Sequence, residues 1–373
     1  MQKGGHEVTQ TGLFSPITLA GCRLANRVVV APMCQYSADT EGNASDWHSL
    51  HWGQYGLSDA GLMLIEATGV EPRGRITPWC LGLWSDANAD AIARHLAPVL
   101  PHARTRFGIQ LGHAGRKASL ARPWDRTRHI AEADGGWQPI APSAIPFAEG
   151  WLVPRAMTEA DMDDVLAAFA AAARRAAALG LAAIEVHAAH GYLLSSFLSP
   201  LANRRDDRWG GTPGNRMRFP LAVFEAVRAA VPGDMPVGVR FNGTDWRTDG
   251  LADDEVLAFA RALAERGCDF LDLSTGGNAP AEIPVGPGYQ VPFAVRARAA
   301  SGLPTIAVGM IRSPLHAEAL IAGDQVDMVA LGRGFLNDPR WVWHAAEALG
   351  VALEVAPQYG FGATLAYRPT PGR

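Results

Sequence analysis

Eight short apolar runs are the feature that most limits the folds open to this chain, because each is followed by a polar or glycine-containing loop and then by a segment with helical periodicity. We predict strands at 27–33, 62–68, 106–112, 182–188, 236–241, 270–275, 305–310 and 328–333. Strands that alternate with helices and are apolar on both faces pair in parallel. Eight such units predict an α/β fold, a closed (β/α)8 TIM barrel, and 373 residues suits that fold with insertions.

Two segments do not fit the repeat. Residues 115–157 follow the third predicted strand as a long excursion rich in Trp, Pro and Gly, which predicts a lid or small subdomain on the side of the βα loops. Residues 351–373 lack helical or strand periodicity, and we expect them to lie over a surface as a C-terminal tail. We therefore expect a single domain, residues 1–373. Between these segments, one helix is predicted to begin at the N-cap Thr158 and to stop at Gly180.

Charge and cysteine content limit the partners. The chain has 33 basic and 37 acidic residues, a net charge of −4 with no basic stripe, so neither nucleic acid nor membrane is an expected partner. The most apolar helical stretch is interrupted by Arg174 and Arg175, which makes it too short to cross a bilayer. The four cysteines have no CxxC spacing and the N-terminus lacks the apolar core of a signal peptide, so we expect free thiols and a cytoplasmic protein.

Polar residues collect where the predicted strands end, which is the edge that carries the active site in this architecture. The residues concerned are Cys34, Gln110, His187, His190, Arg240, the turn 274–277, Gly309, Gly332 and Arg333.

His187 and His190 allow three interpretations. A zinc pair on a helix is spaced by four residues and needs a further ligand, which this sequence does not supply nearby. Both imidazoles could instead be structural. The third interpretation is that two ring N–H groups at a strand end bind one carbonyl oxygen and stabilise an enolate, with Tyr192 as the proton donor.

Such a site donates protons but no electrons, so it requires a hydride carrier. The chain has no GxGxxG motif that opens a helix, which argues against a dinucleotide held by a Rossmann fold. Barrels bind phosphate in the loops after strands seven and eight, where this chain has Gly309, Gly332 and Arg333. FMN fits one phosphate site with a ring over the barrel mouth. Arg240 would then stabilise the reduced ring, and Gln110 would bind its pyrimidine edge.

The motifs that carry a family resemblance extend over residues 12–359: "VVVAPMCQYSA", "DWHSLHWGQYG", "IQLGHAGRKAS", "EVHAAHGYLLSSFLSPLANRRDDRWGG", "STGG", "VGMI" and "LGRGFLNDP". Together they resemble the Old Yellow Enzyme family of FMN-dependent ene-reductases, in particular its bacterial, cysteine-containing subgroup known as thermophilic-like, which includes xenobiotic reductases.

The resemblance implies a TIM barrel that holds FMN non-covalently, accepts electrons from NADPH or NADH, and reduces enones, enals, maleimides or nitroalkenes. It implies that His187 and His190 bind the activating oxygen, that Tyr192 donates the proton, and that Cys34 contacts both flavin and substrate. Tyr36 would lie on the substrate side. The residues implied to surround FMN are Pro32, Met33, Cys34, Ala67, Gln110, Arg240, Gly309, Gly332 and Arg333. Lys117 belongs to the motif without an assigned role. The subgroup commonly forms homodimers or homotetramers.

Three other functions were weighed. A metal-dependent barrel hydrolase would need ligands that the sequence does not show. A flavin-binding module without catalysis would leave the His-x-x-His-x-Tyr arrangement without a purpose. A larger relative with an iron–sulfur cluster would need a cysteine cluster after the barrel, whereas no cysteine follows Cys268.

Overall fold

The computed structural model describes residues 12–125 and 128–363. Eight parallel strands close into a barrel, which confirms the predicted TIM barrel and all eight strands. They are β1 Val28–Val30, β2 Leu62–Gly69, β3 Arg106–Gly112, β4 Ile184–Ala188, β5 Val237–Asn242, β6 Phe270–Ser274, β7 Thr305–Ala307 and β8 Met328–Leu331. Each pairs with the next along the chain, and β8 pairs with β1 to close the ring.

Helices follow the strands on the outside of the barrel. They are α1 Asp46–Gly56, α2 Asp86–Leu96, α3 Glu159–Ala178, α4 Leu193–Leu198, α5 Pro213–Ala229, α6 Asp253–Ala264, α7 Val291–Ser301, α8 Pro314–Ala322, α9 Arg333–Asn337, α10 Trp341–Leu349 and α11 Gly360–Ala363. The α3 helix begins as predicted, since the Thr158 side chain accepts a hydrogen bond from the Asp161 N–H. It ends two residues before Gly180, whose φ of 72° suits a glycine.

One end of the barrel is closed by apolar packing. A short antiparallel hairpin, Ile17–Leu19 with Cys22–Leu24, precedes β1. Its Leu19 and Leu24 belong to one buried cluster with strand residues such as Val29, Leu62 and Phe270. This apolar cluster fills the barrel at the amino-terminal end of the strands. Polar side chains inside the barrel therefore lie at its other end, where the strands end.

The excursion between β3 and α3 has little regular structure. It contains two 3-10 turns, Gly115–Lys117 and Glu132–Asp134, and two short strands that pair in parallel, Ile140–Ala141 and Arg155–Ala156. The Trp137 indole N–H donates to the Arg73 carbonyl in the loop after β2, at 2.9 Å. The excursion therefore packs against the loops at the carboxyl end of the barrel.

The described part of the C-terminal tail packs on its own chain. The Arg340 guanidinium lies over the rings of Trp343 and Tyr359, 4.0 and 4.4 Å from their centroids. The Arg104 guanidinium donates to the Glu354 carbonyl. The rest of the predicted tail, residues 364–373, lies outside the described residues.

Within residues 12–125 and 128–363, none of the helices is both long enough and apolar enough to span a bilayer.

Candidate active site

The strand-end residues predicted from the sequence meet at the barrel mouth, around a cavity of about 300 Å³. Seven of the predicted residues line this cavity: Pro32, Met33, His190, Arg240, Gly309, Gly332 and Arg333. Ala67, His187 and Tyr192 line a smaller cleft between the loops after β2, β3 and β4.

The loop after β4 brings three rings together. The ring centroids of His187 and His190 are 5.1 Å apart, those of His187 and Tyr192 also 5.1 Å, and those of His190 and Tyr192 6.4 Å. Each pair is oriented edge to face. Two nitrogen donors and one hydroxyl are thus close enough to act on a single small molecule.

His187 has a defined proton position. Its Nδ1 accepts a hydrogen bond from the Ala189 backbone N–H at 3.3 Å, so the neutral ring carries its proton on Nε2. Burial, followed by the nearby charge of Arg240, lowers the pKa of His187 well below 6.5. The ring is therefore neutral at pH 7 and has one N–H left to donate.

His190 is held by the neighbouring strands β5 and β6. Its backbone N–H donates to Asn242 Oδ1 at 3.1 Å, and its Nε2 lies 2.6 Å from Ser274 Oγ. The His190 backbone has a left-handed φ of 61°, which is unusual for a residue other than glycine. Burial, then Arg240, lowers the pKa of His190 well below 6.5. The neutral ring retains Nδ1 for a ligand.

Tyr192 lies in an apolar pocket with Cys34 and Tyr36, which are also predicted to touch substrate. Cys34, Tyr36 and Tyr192 pack against one buried cluster: Ile76, Cys80, Ala114 and Ala118. Burial raises the pKa of Tyr192 and of Cys34 well above their ordinary values. The phenol and the thiol both keep their protons at neutral pH, so Tyr192 is a protonated phenol and Cys34 is a neutral thiol.

The loop that carries Cys34 and Tyr36 is fixed by a buried, hydrogen-bonded pair of side chains, Glu66 and His48, that the sequence reasoning missed. The Gln35 backbone N–H donates to Glu66 Oε2, and the other oxygen of Glu66 lies 3.0 Å from His48 Nε2. Tyr36 has a left-handed φ of 51°. Glu66 thereby holds a strained loop in the position that brings Cys34 towards the mouth.

Below the mouth, polar side chains from β3 to β6 form a buried layer. Gln110 Nε2 donates to Glu185 Oε1 at 2.6 Å, and Arg240 Nε lies 3.3 Å from Asp272 Oδ2. That distance allows an ion pair, yet the geometry is not that of a hydrogen bond, so Arg240 Nε stays without an acceptor among the described residues. Burial, then Asp272, raises the pKa of Glu185 well above 4.5. A neutral Glu185 beside ionised Asp272 leaves one negative charge against Arg240.

The residues present fit FMN. Arg312 and Arg333 line the cavity, and among residues 12–125 and 128–363 neither is within ion-pair distance of a carboxylate. A phosphate would complement this charge. Gly309 has a φ of 116°, and a Cβ there would lie 3.1 Å from the Gln290 backbone nitrogen, so a side chain would strain the backbone that faces the cavity. Arg240 lines the same cavity, and its buried Nε–H has no acceptor among the described residues.

Sequence reasoning did not single out four residues that line the same cavity: Tyr289, Gln290, Met310 and Arg312. Arg312 had a detectable signal, since it lies two residues after the seventh predicted strand, 305–310, on the edge of the barrel that carries the active site. Tyr289 and Gln290 precede α7, far from any strand end, and only the folded chain brings them to the mouth.

Comparisons with known proteins agree with this architecture. The model of the NADH:flavin oxidoreductase / NADH oxidase family matches residues 12–351. An NADPH dehydrogenase from Geobacillus sp. (strain WCH70) is 42% identical over 354 residues, which cover 95% of this chain and 99% of that protein.

Solved structures show the same fold. Morphinone reductase in complex with tetrahydroNAD is similar with a TM-score of 0.74 and 29% identity over 93% of each chain. A complex of 2-naphthoyl-CoA reductase with 2-naphthoyl-CoA has a TM-score of 0.81 at 24% identity, a likeness of fold alone. This chain spans 52% of the length of that reductase, while 90% of this chain is covered.

Proposed function

Because this chain belongs to the NADH:flavin oxidoreductase / NADH oxidase family and is an oxidoreductase of the Old Yellow Enzyme type, we propose that it is an ene-reductase. Its cofactors are FMN and a nicotinamide dinucleotide, NADPH or NADH. The proposed substrates are α,β-unsaturated aldehydes and ketones, maleimides and nitroalkenes. The observation that carries the proposal is the convergence of His187, His190 and Tyr192 beside an arginine-lined cavity.

In the proposed mechanism the two histidines bind the carbonyl or nitro oxygen of the substrate. His187 donates from Nε2 and His190 from Nδ1, so two neutral N–H groups face one oxygen. Hydrogen bonds of this kind stabilise the negative charge that grows on that oxygen when the β-carbon is attacked. Neutral donors suit this role because they do not transfer their protons to the oxygen outright.

Tyr192 supplies the proton to the α-carbon. Its raised pKa keeps it protonated over the working pH range, and its ring lies within 5.1 Å of the His187 ring. Tyr36 and Cys34 form the facing wall of the substrate space. The excursion contributes Leu120, Arg122 and Trp151 to the lining of an open cavity of about 410 Å³ that Tyr36 also lines.

When bound, FMN would supply the hydride for the β-carbon, and the nicotinamide dinucleotide would reduce the flavin again. We propose that Arg312 and Arg333 hold the phosphate and that Arg240 and Gln110 bind the pyrimidine edge. The remaining proposed contacts come from backbone and small side chains: Pro32, Met33, Cys34, Ala67, Gly309 and Gly332.

The direct test is an anaerobic titration of the purified protein with NADPH and then with 2-cyclohexenone, followed by absorbance. We expect the flavin band to bleach with NADPH and to recover with the enone. A flavin that bleaches but recovers only with oxygen would contradict ene-reduction while leaving the flavin oxidoreductase intact.

The histidines are tested by phenol binding, because a phenolate mimics the enolate oxygen. We expect His187→Ala and His190→Ala each to weaken phenol binding and to slow enone reduction by about 10²-fold, the usual loss for one oxyanion donor. Rapid-mixing absorbance should show a reductive half-reaction that is less affected. Unchanged phenol affinity in both variants would remove these residues from the proposed site.

Tyr192→Phe tests the proton donor. We expect it to slow the oxidative half-reaction and to spare flavin reduction by NADPH, because only the former needs a proton on the α-carbon. Tyr36→Phe is the matched control, since it removes a second buried hydroxyl from the same cluster. An equal loss in both variants would argue against a specific role for Tyr192.

We also propose that the chain acts as one domain, residues 1–373, in the cytoplasm, as a homodimer or homotetramer. Exposed apolar side chains support assembly: Trp47 and Leu50 on α1 are 51% and 70% exposed. Light scattering at several concentrations would decide the oligomeric state, and a monomer at all of them would contradict it.

A further inference from the structure

Lys117 is an unusual choice of cation in this chain. The sequence has 33 basic residues, and only Lys3 and Lys117 are lysines, so arginine is used at all the other positions. Lys117 ends the 3-10 turn Gly115–Lys117 directly after β3, on the same side of the barrel as the candidate site. A lysine offers a compact ammonium with three donors, whereas arginine offers a planar fork.

The ammonium group bridges two loops of the barrel mouth. Lys117 Nζ donates to the His190 carbonyl at 2.8 Å and to the Gly277 carbonyl at 3.3 Å. Both acceptor residues have left-handed backbones, with φ of 61° and 89°. The loops touch at this point, since a Cβ on Gly277 would lie 2.5 Å from the His190 carbonyl. Two carbonyl dipoles so close together repel unless a cation lies between them.

The same ammonium lies among aromatic rings and has no carboxylate partner. It is 4.5 Å from the ring centroid of Phe147 in the excursion and 5.3 Å from that of Tyr192. Among residues 12–125 and 128–363, no carboxylate lies within ion-pair distance of it. Its charge is therefore balanced only by carbonyl oxygens and ring faces, which is a weak compensation for lost hydration.

From this geometry we propose that Lys117 is a positioning residue for His190: its ammonium holds the left-handed turn that aims the imidazole at the substrate oxygen. The inference rests on the proposed function of His190 and goes beyond it by naming the group that keeps this donor in place. Without the ammonium, the His190 and Gly277 carbonyls separate and the imidazole loses its orientation. Lys117 is not itself part of the lining of the flavin cavity, and it reaches the site through the backbone of His190.

A pH dependence follows. Burial, then the charge of Arg116, lowers the pKa of Lys117 to about 8. The titratable and charged groups around the ammonium are Arg116 on its own turn and His187, His190 and Tyr192 on the β4 loop, and burial keeps those three neutral near this pH. The His190 turn is held while the ammonium is charged, and it is released as the pH rises past about 8.

The experiment measures the affinity of the FMN-loaded enzyme for 4-chlorophenol between pH 6.5 and 9, corrected at each pH for the fraction of the phenol that is ionised. We expect Lys117→Met to weaken binding about tenfold at pH 7, the scale of a lost charge-assisted hydrogen bond. Lys117→Arg should recover part of this loss and extend tight binding to higher pH, because arginine keeps its proton. Arg208→Met removes an exposed cation 4.7 Å from the Trp209 ring and serves as the control, with affinity equal to wild type.

Two results would overturn the inference: wild-type affinity for Lys117→Met with normal FMN content, or a wild-type affinity that does not fall between pH 7 and 9. The pH dependence of the wild-type enzyme is measured without any variant. It therefore tests the inference even if the Lys117→Met protein does not fold. If His190→Ala also keeps its phenol affinity, the proposed function of the site fails. If His190→Ala loses phenol and Lys117→Met does not, only the role of Lys117 fails.

Discussion

At the scale of single residues, the position of one proton decides whether His190 is a donor. Ser274 Oγ lies 2.6 Å from His190 Nε2 and 3.3 Å from Gln290 Oε1, and the latter oxygen already accepts from Thr275 Oγ1 at 2.7 Å. The Ser274 hydroxyl has a single proton, and we propose that it donates this proton to Nε2, the nearer of its two possible acceptors, which places the imidazole proton on Nδ1. His187 reaches its own tautomer through a backbone N–H instead.

Ser274→Ala should disturb this arrangement without removing a substrate contact. With no hydroxyl to donate, Nε2 of His190 takes the proton in part of the molecules, and we expect phenol affinity to fall several-fold. Nitrogen NMR of the histidine rings reports the tautomer directly, and it should show a change at His190 alone. Ser301→Ala removes a hydroxyl that donates to the Ala297 carbonyl at the end of α7 and is the control. An unchanged spectrum in Ser274→Ala would contradict the assignment.

Sequence reasoning reached the strand-end residues because a parallel barrel brings the carboxyl ends of its strands together whatever its details. It did not find Glu185, although a strand alternates its faces, and residue 185 lies one repeat below His187. The pairing of Asp272 with Arg240 depends on the register between β5 and β6, which no local pattern encodes. Left-handed backbones at Tyr36 and His190 are likewise set by contacts between loops.

At the scale of elements, the predicted runs were longer than some strands. β1 is Val28–Val30 and β7 is Thr305–Ala307, against predictions of 27–33 and 305–310. The difference has a chemical reason, since the apolar run continues into cavity-lining loop residues such as Pro32, Met33 and Gly309. These residues are only partly buried, and the uninterrupted lack of charged side chains is what made them resemble strand.

The α3 helix carries an element-scale prediction at its first turn. Asp161 accepts from Thr158 N–H at 2.8 Å, and both its oxygens accept from Arg155 at 2.7 Å. The bond from Arg155 holds the pKa of Asp161 well below its usual value. Because this carboxylate joins the helix to the excursion, we expect Asp161→Asn to lower the free energy of unfolding by about 2 kcal/mol at pH 7.

Acidification should remove the same stabilisation. A depressed pKa contributes stability that is complete above the ordinary value and is lost as the pH falls below it, so Asp161→Asn and wild type should approach each other in acid. Urea unfolding at several pH values measures this. Asp163→Asn changes an exposed carboxylate on the same helix and should stay within about 0.5 kcal/mol of wild type. A similar loss of stability in both variants would mean that negative charge near the start of α3 stabilises the helix, whichever residue carries it.

At the scale of the whole molecule, the fold buries ionisable groups in low-dielectric surroundings, at the mouth and on α1, and so makes its own stability depend on pH. Burial, then His48, lowers the pKa of His51 to about 4, and burial also keeps His187 and His190 neutral. Glu185 and Asp272 act in the opposite sense, because burial raises both of their pKa values. The two carboxyl groups share one proton in the native chain. This bound proton offsets the proton that one of the three histidines takes up on unfolding.

The free energy of unfolding should therefore fall as the pH drops below about 6.5. There the unfolded chain binds a proton at each of these histidines and the native chain does not, and each contributes up to roughly 1.4 kcal/mol per pH unit. With one histidine offset, the total slope approaches about 3 kcal/mol per pH unit. Urea unfolding in excess FMN from pH 7.5 to 5.5 measures it. His51→Leu should lower the slope of the unfolding free energy against pH by the contribution of one histidine. His102 is exposed, so His102→Asn should keep the wild-type slope. A stability that is constant over this range would mean that the mouth admits protons to these rings without unfolding, and the neutral donors on which the site depends would then be charged in weak acid.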